Sequence, residues 1–102
     1  MYIIAESVYP SDKAKDVAQR YLEAMEKYPD DASLATPIVL AAVRTTLQGI
    51  TVMAILEPKE GKLEEAYAVA VNRMAMFHDI QGFEYEFKTS YTLEEAMKVI
   101  GM

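Results

Sequence analysis

Few residues in this chain are of a type that does chemistry, and their positions limit what that chemistry would be. The one histidine, His78, follows Met74 and Phe77 on an apolar helical stripe, where a pocket between helix and sheet would let it act as acid or base. The plainer reading is a helix-end imidazole that hydrogen-bonds the free carbonyls there. Glu6 and Arg44 each interrupt an apolar strand, and a charge in that setting is costly unless it is paired or at an edge. Either the two meet as an ion pair, across the sheet or across a dimer interface, or Arg44 is simply exposed beside a turn, as arginine usually is. In a catalytic reading, Glu6 is a general base in a cleft lined by Tyr21, Tyr67 and Met74. Asp30 and Asp31 lack the spaced oxygen ligands of a calcium loop and read as solvated charges. Met25, Met74 and Met97 fall at helical positions, where methionine fills cores or lines an adaptable pocket.

Composition narrows the classes further. At 102 residues the chain has room for one core. Apolar residues are 52% of it, more greasy surface than a small monomer readily hides, which points to a partner surface. Sixteen acidic residues against ten basic ones repel phosphate backbones, so a nucleic-acid partner is not expected. Without cysteine there is no disulfide framework, thiolate metal site or thiol nucleophile. The opening run Tyr2 to Ala5 is too short for a signal-peptide core, and nothing approaches the roughly 20 apolar residues of a membrane span. The expectation is a cytoplasmic protein with no membrane partner.

The elements that must position these residues follow from periodicity. Tyr2 to Val8 reads as a strand stopped by Pro10, with Ser11 as a helix cap. Apolar residues at Ala14, Val17, Ala18, Tyr21, Leu22, Met25 and Tyr28 mark an amphipathic helix over 12–28. After a loop over 30–37, the runs 38–44 and 50–56 read as a hairpin, with Gly49 able to take positive φ. A second helix starts at Lys62 and is expected to end near Gly82 as its C-terminal cap. Phe83 to Lys88 alternates apolar and charged as a half-wet strand, and Thr92 with Glu95 has capping-box spacing for a short last helix.

The order βαββαβ over nearly the whole chain resembles the ferredoxin-like fold, an α+β sandwich with an antiparallel four-stranded sheet and both helices on one face. Within it, the stretch Glu60-Gly61-Lys62-Leu63-Glu64-Glu65-Ala66 and the ending Ile100-Gly101-Met102 resemble small uncharacterised bacterial and archaeal proteins of the dimeric α/β-barrel class. Heme-degrading monooxygenases of that class carry their heme-ligating histidine on the helix corresponding to that of His78, so the resemblance makes heme an alternative cofactor. They also use an asparagine on strand one and a tryptophan in the pocket, whereas this chain has Ser7 in that region and no tryptophan. The resemblance therefore favours no cofactor. Other chemistries of this topology find no footing. The third strand lacks the aromatic and basic residues of an RNA-recognition sheet, and there is no cysteine pair of a metallochaperone. Pro10-Ser11-Asp12-Lys13 has neither arginine nor glycine for a phosphate cradle.

With both helices on one sheet face, the other face of a monomer should alternate to polar. Instead 2–5, 38–43 and 52–56 are apolar at successive positions, as expected where sheets from two chains pack together. The chain is thus expected to pair with itself, as a homodimer or higher homo-oligomer. Two functions stay open: a structural or small-ligand-binding module, with Arg44, Tyr21, Tyr67 and Met74 as contacts, or, as the resemblance implies, a small-molecule enzyme of the dimeric α/β-barrel type, a cofactor-independent or heme-dependent monooxygenase or an isomerase, using His78 or Glu6 as its acid or base.

Overall fold

A computed structural model describes residues 1–102. The elements are β1 (Tyr2–Tyr9), a 3-10 turn (Ser11–Lys13), α1 (Ala14–Lys27), β2 (Ala35–Thr46), β3 (Gly49–Pro58), α2 (Leu63–Ala75), β4 (Glu84–Ser90) and α3 (Leu93–Val99). The four strands form one antiparallel sheet in the order β2-β3-β1-β4. β1 and β2 therefore run parallel with β3 between them, and β3 and β4 run parallel with β1 between them. Each long helix is the crossover of one such pair.

The pleat of β1 divides its residues between two environments. Ile3, Ser7 and Tyr9 are buried, and their ladder neighbours Leu56, Val52, Ile50 and Tyr85 lie on the same face. That face meets the helices: Tyr9, Val17, Ala24, Phe77 and Ile80 form the core cluster, with Ala14, Ile50, Val52, Met74, Met76 and Phe83 packed against it. Residues of α1 and α2 join β1 and β3 there, so both helices cover one face. Phe83 stacks between Phe77 at 4.7 Å and Tyr9 at 6.0 Å, ring centre to ring centre, a spacing that adds to the area term. In β4 the expected alternation appears, with Tyr85 and Phe87 half-buried and Glu84, Glu86 and Lys88 exposed.

Two arginines tie the helices together. Arg20 of α1 donates to the Met76 carbonyl and pairs with Asp79. Arg73 of α2 donates to the Tyr28 carbonyl at 2.7 Å and to Asp30 at 3.1 Å. Asp30 is thus an ion-pair partner. Asp31 accepts from both the backbone N–H and the hydroxyl of Ser33, which hold its carboxyl below its ordinary range.

The elements differ from the periodicity in three places. α2 ends at Ala75, seven residues before Gly82, because the N–H groups of Phe77 and Ile80 bond three residues back rather than four. This tighter winding turns both Phe77 and Ile80 into the core, and Gly82, at φ +84°, closes the connection rather than the helix. Ser11 caps nothing: Pro10 holds the position before the 3-10 turn and no side chain bonds into α1. The hairpin strands are longer than expected and are joined through Leu47 and Gln48, with Gly49 at φ +122° under the Tyr9 carbonyl. The capping box of α3 is present as expected, Thr92 accepting from the Glu95 N–H and Glu95 from that of Thr92.

Candidate functional site

The face of the sheet opposite the helices carries the site. Its residues follow from the registers as rows running from edge strand to edge strand. One row is Arg44, Thr51, Val8 and Glu84; the next is Ala42, Met53, Glu6 and Glu86; a third is Val39, Ile55, Ile4 and Lys88. The first two rows, with the backbone between them, line a trough of about 690 Å³ that crosses all four strands. Two register shifts in β2 between Pro37 and Ala42 bend that edge strand.

Charge is distributed unevenly over this face. Lys88 reaches Glu6 at 3.4 Å and Glu86 at 3.5 Å, and the bond to Glu6 leads in raising the Lys88 pKa. Arg44 has no carboxylate partner; its Nε donates to the Thr51 hydroxyl at 3.2 Å. Glu84, at the far end of the same row, enters no ion pair either. On the two central strands the apolar Val8 and Met53 alternate with Thr51 and Glu6, and Met53 is 38% exposed.

The candidate residues of the sequence separate onto two faces. Glu6 and Arg44 both line the trough, but β3 lies between their strands and they do not pair within the chain. Tyr67 and Met74 are on the helix side: Tyr67 packs against Phe87 at 5.3 Å and Met74 against the core cluster. Tyr21, on α1, is 36% exposed. The cleft expected to join Glu6 with Tyr21, Tyr67 and Met74 is therefore not formed, because Glu6 has the opposite pleat parity to the buried Ile3, Ser7 and Tyr9.

His78 also departs from expectation. With α2 ending at Ala75, its ring is exposed rather than facing the core, and it stacks on Tyr85 at 5.6 Å with Nε2 2.6 Å from the Tyr85 hydroxyl. It neither enters a pocket between helix and sheet nor bonds helix-end carbonyls. Between helices and sheet, a crevice of about 20 Å³ lies among Leu34, Pro37, Leu56, Ala66 and Val69, too small for a ligand.

Of the residues read from the sequence as the wet side of the last strand, Glu84 and Glu86 line the trough, as do Thr51 and Met53, and Lys88 reaches Glu6 from the row beside it. The signal was the period-two parity itself: Glu6, Val8, Met53 and the three β4 charges share one parity once the registers are known.

No protein-family model and no curated protein matches the chain. Among solved structures, a similar one is "De novo designed protein Foldit4", with 12% identity, 88% of this chain and 96% of that chain covered, and a TM-score of 0.46. The class is that of a small α+β domain with a four-stranded antiparallel sheet and three α-helices. No helix is long and apolar enough to cross a membrane.

Proposed function

We propose that the chain is a homo-oligomeric module of ferredoxin-like fold that buries the open face of its sheet against a second copy of itself. The element order βαββαβ with strand order β2-β3-β1-β4 supports the ferredoxin-like assignment. The uncovered apolar surface carries the proposal. Nine of 102 residues are buried, a small core for a chain that is 52% apolar. Ile4, Val8, Ala42, Met53 and Ile55 lie on the face away from the core cluster of α1 and α2. α3 does not make good the deficit: none of its residues is buried, and Leu93 and Val99 are 77% and 67% exposed. A second sheet packed on this face removes the apolar area from water at about 25 cal/mol per Å².

A second reading, a small-molecule site, is favoured by the trough itself. Its volume of about 690 Å³ falls in the range of ligand pockets, and it sets the apolar Val8 and Met53 beside Arg44 and Glu6. Closing a second sheet over it gives such a ligand a dry chamber, so the two readings are compatible. In neither does His78 or a heme take part.

A native mass spectrum of the purified protein, with its absorption spectrum, tests both. The expected result is an oligomer of the 11.5 kDa chain without a Soret band. A monomer at micromolar concentration overturns the proposal, and an oligomer with added small-molecule mass establishes the second reading.

A further inference from the structure

Within the three rows described, Arg44 and Glu84 are the two charges that have no charged partner in the chain, and they stand at opposite ends of one row; Glu57, also unpaired, lies one row further along β3, beyond Ile55. Three strand spacings, about 14 Å, separate their backbones, too far for them to meet within one copy. Two sheets packed face to face, however, lie about 10 Å apart, a gap that an arginine and a glutamate span together.

Resting on the homo-oligomeric reading above, we infer that the two copies are related by a two-fold axis parallel to the strands, and that Arg44 of each pairs with the partner's Glu84. Such an axis lays β2 over β4 of the second copy and β3 over β1, and it keeps each row at its own level. Arg44 then meets the partner's Glu84, and the reciprocal pair forms automatically because a two-fold interface uses every contact twice. In the third row Ile55 meets the partner's Ile4. In the second row Met53 and Ala42 meet the partner's Glu6 and Glu86, two carboxylates that share the one Lys88 ammonium of their own chain.

The other face-to-face arrangement has its axis across the strands. It lays β2 over β2 and β4 over β4, so Arg44 meets no carboxylate of this face, and Glu84 meets the partner's Lys88, which Glu6 and Glu86 of its own chain already engage. Centred on the second row, it also sets Glu6 against the partner's Glu6 and Glu86 against the partner's Glu86, a like-charge cost that selects against it. The lone arginine on the edge strand is therefore the residue that fixes orientation. The bend that the register shifts put into β2 frees that edge to close toward β4 of the second copy.

Charge reversal tests the pairing. Arg44→Glu and Glu84→Arg are each expected to weaken self-association at least ~10-fold, since each converts two attractive contacts into two repulsive ones. An equimolar mixture of the two single variants is expected to form a heterodimer with near wild-type affinity, because both contacts are then attractive again. The double variant is expected to recover self-association for the same reason. Far-UV circular dichroism of each variant confirms that the fold is kept, and Arg44→Gln supplies a milder change if the reversal unfolds it. A wild-type dimer insensitive to both reversals, or a mixture that fails to associate, overturns the pairing while leaving the dimer intact. A monomeric wild type overturns the pairing and the reading beneath it together.

Discussion

Gly82 faces the ring of Pro10 so closely that a β-carbon at Gly82 would sit 2.6 Å from the proline Cγ. The contact joins the end of β1 to the connection that leads into β4, and Gly82 holds it at φ +84°. An alanine there is strained twice, by the backbone angle and by the ring. Gly82→Ala is expected to destabilise the fold by about 1–3 kcal/mol. Gly61 has φ +75° and nothing within 4 Å of its would-be β-carbon, so Gly61→Ala carries the conformational cost alone, about 1 kcal/mol. Urea unfolding of the two variants measures the difference; equal losses would show that Pro10 does not resist.

The Arg20–Asp79 pair makes a pH-dependent contribution to stability. The hydrogen bond from Arg20 holds the Asp79 carboxyl below its ordinary range. Stabilisation from a group depressed in the folded state is present above its unfolded pKa and disappears as pH falls through the folded one. Asp79→Asn is therefore expected to lower the melting temperature at neutral pH and to converge on the wild type in acid, below the ordinary carboxylate range. Thermal melts between pH 2 and 7 test this, and a difference that persists at the acid end would contradict it.

His78 is expected to act through Tyr85 and through nothing else. The 2.6 Å bond and the ring stack lie at the surface, so Tyr85→Phe and His78→Ala should each cost about 0.5–1.5 kcal/mol, and the double variant less than the sum. A double-mutant cycle by chemical denaturation measures the coupling. Additive losses would mean that the bond contributes nothing.

Much of the fold is legible in the residues themselves. The alternation of Phe83, Tyr85 and Phe87 against Glu84, Glu86 and Lys88 specifies β4 and its two environments. The Thr92–Glu95 spacing specifies the start of α3 because both halves of the capping box are side-chain chemistry local to one turn. The end of α2 is not legible: Phe77 continues the helical stripe, and Ile80 reaches the core only because the chain tightens to three-residue bonds beside Arg20.

The site was half legible for the same reason. Glu6 and Arg44 stand out as charges in apolar strands, which is a local signal. Which face each occupies depends on the pleat parity of β1 and the register of β2, and these are set by Ile3 and Tyr9 seeking the core and by the two register shifts after Pro37. The catalytic reading sets Glu6 in a cleft with Tyr21, Tyr67 and Met74, whereas the sheet turns Glu6 to the face opposite Tyr67 and Met74.

Sedimentation velocity of the wild type beside Met53→Asp tests the central claim most directly, because Met53 lies on a central strand of the trough and points away from the core. The expected result is a wild-type dimer or higher oligomer at micromolar concentration and a Met53→Asp monomer with an unchanged circular dichroism spectrum. A wild type that sediments as one 11.5 kDa chain, or a variant that associates as strongly as the wild type, would contradict the burial of this face by a second copy.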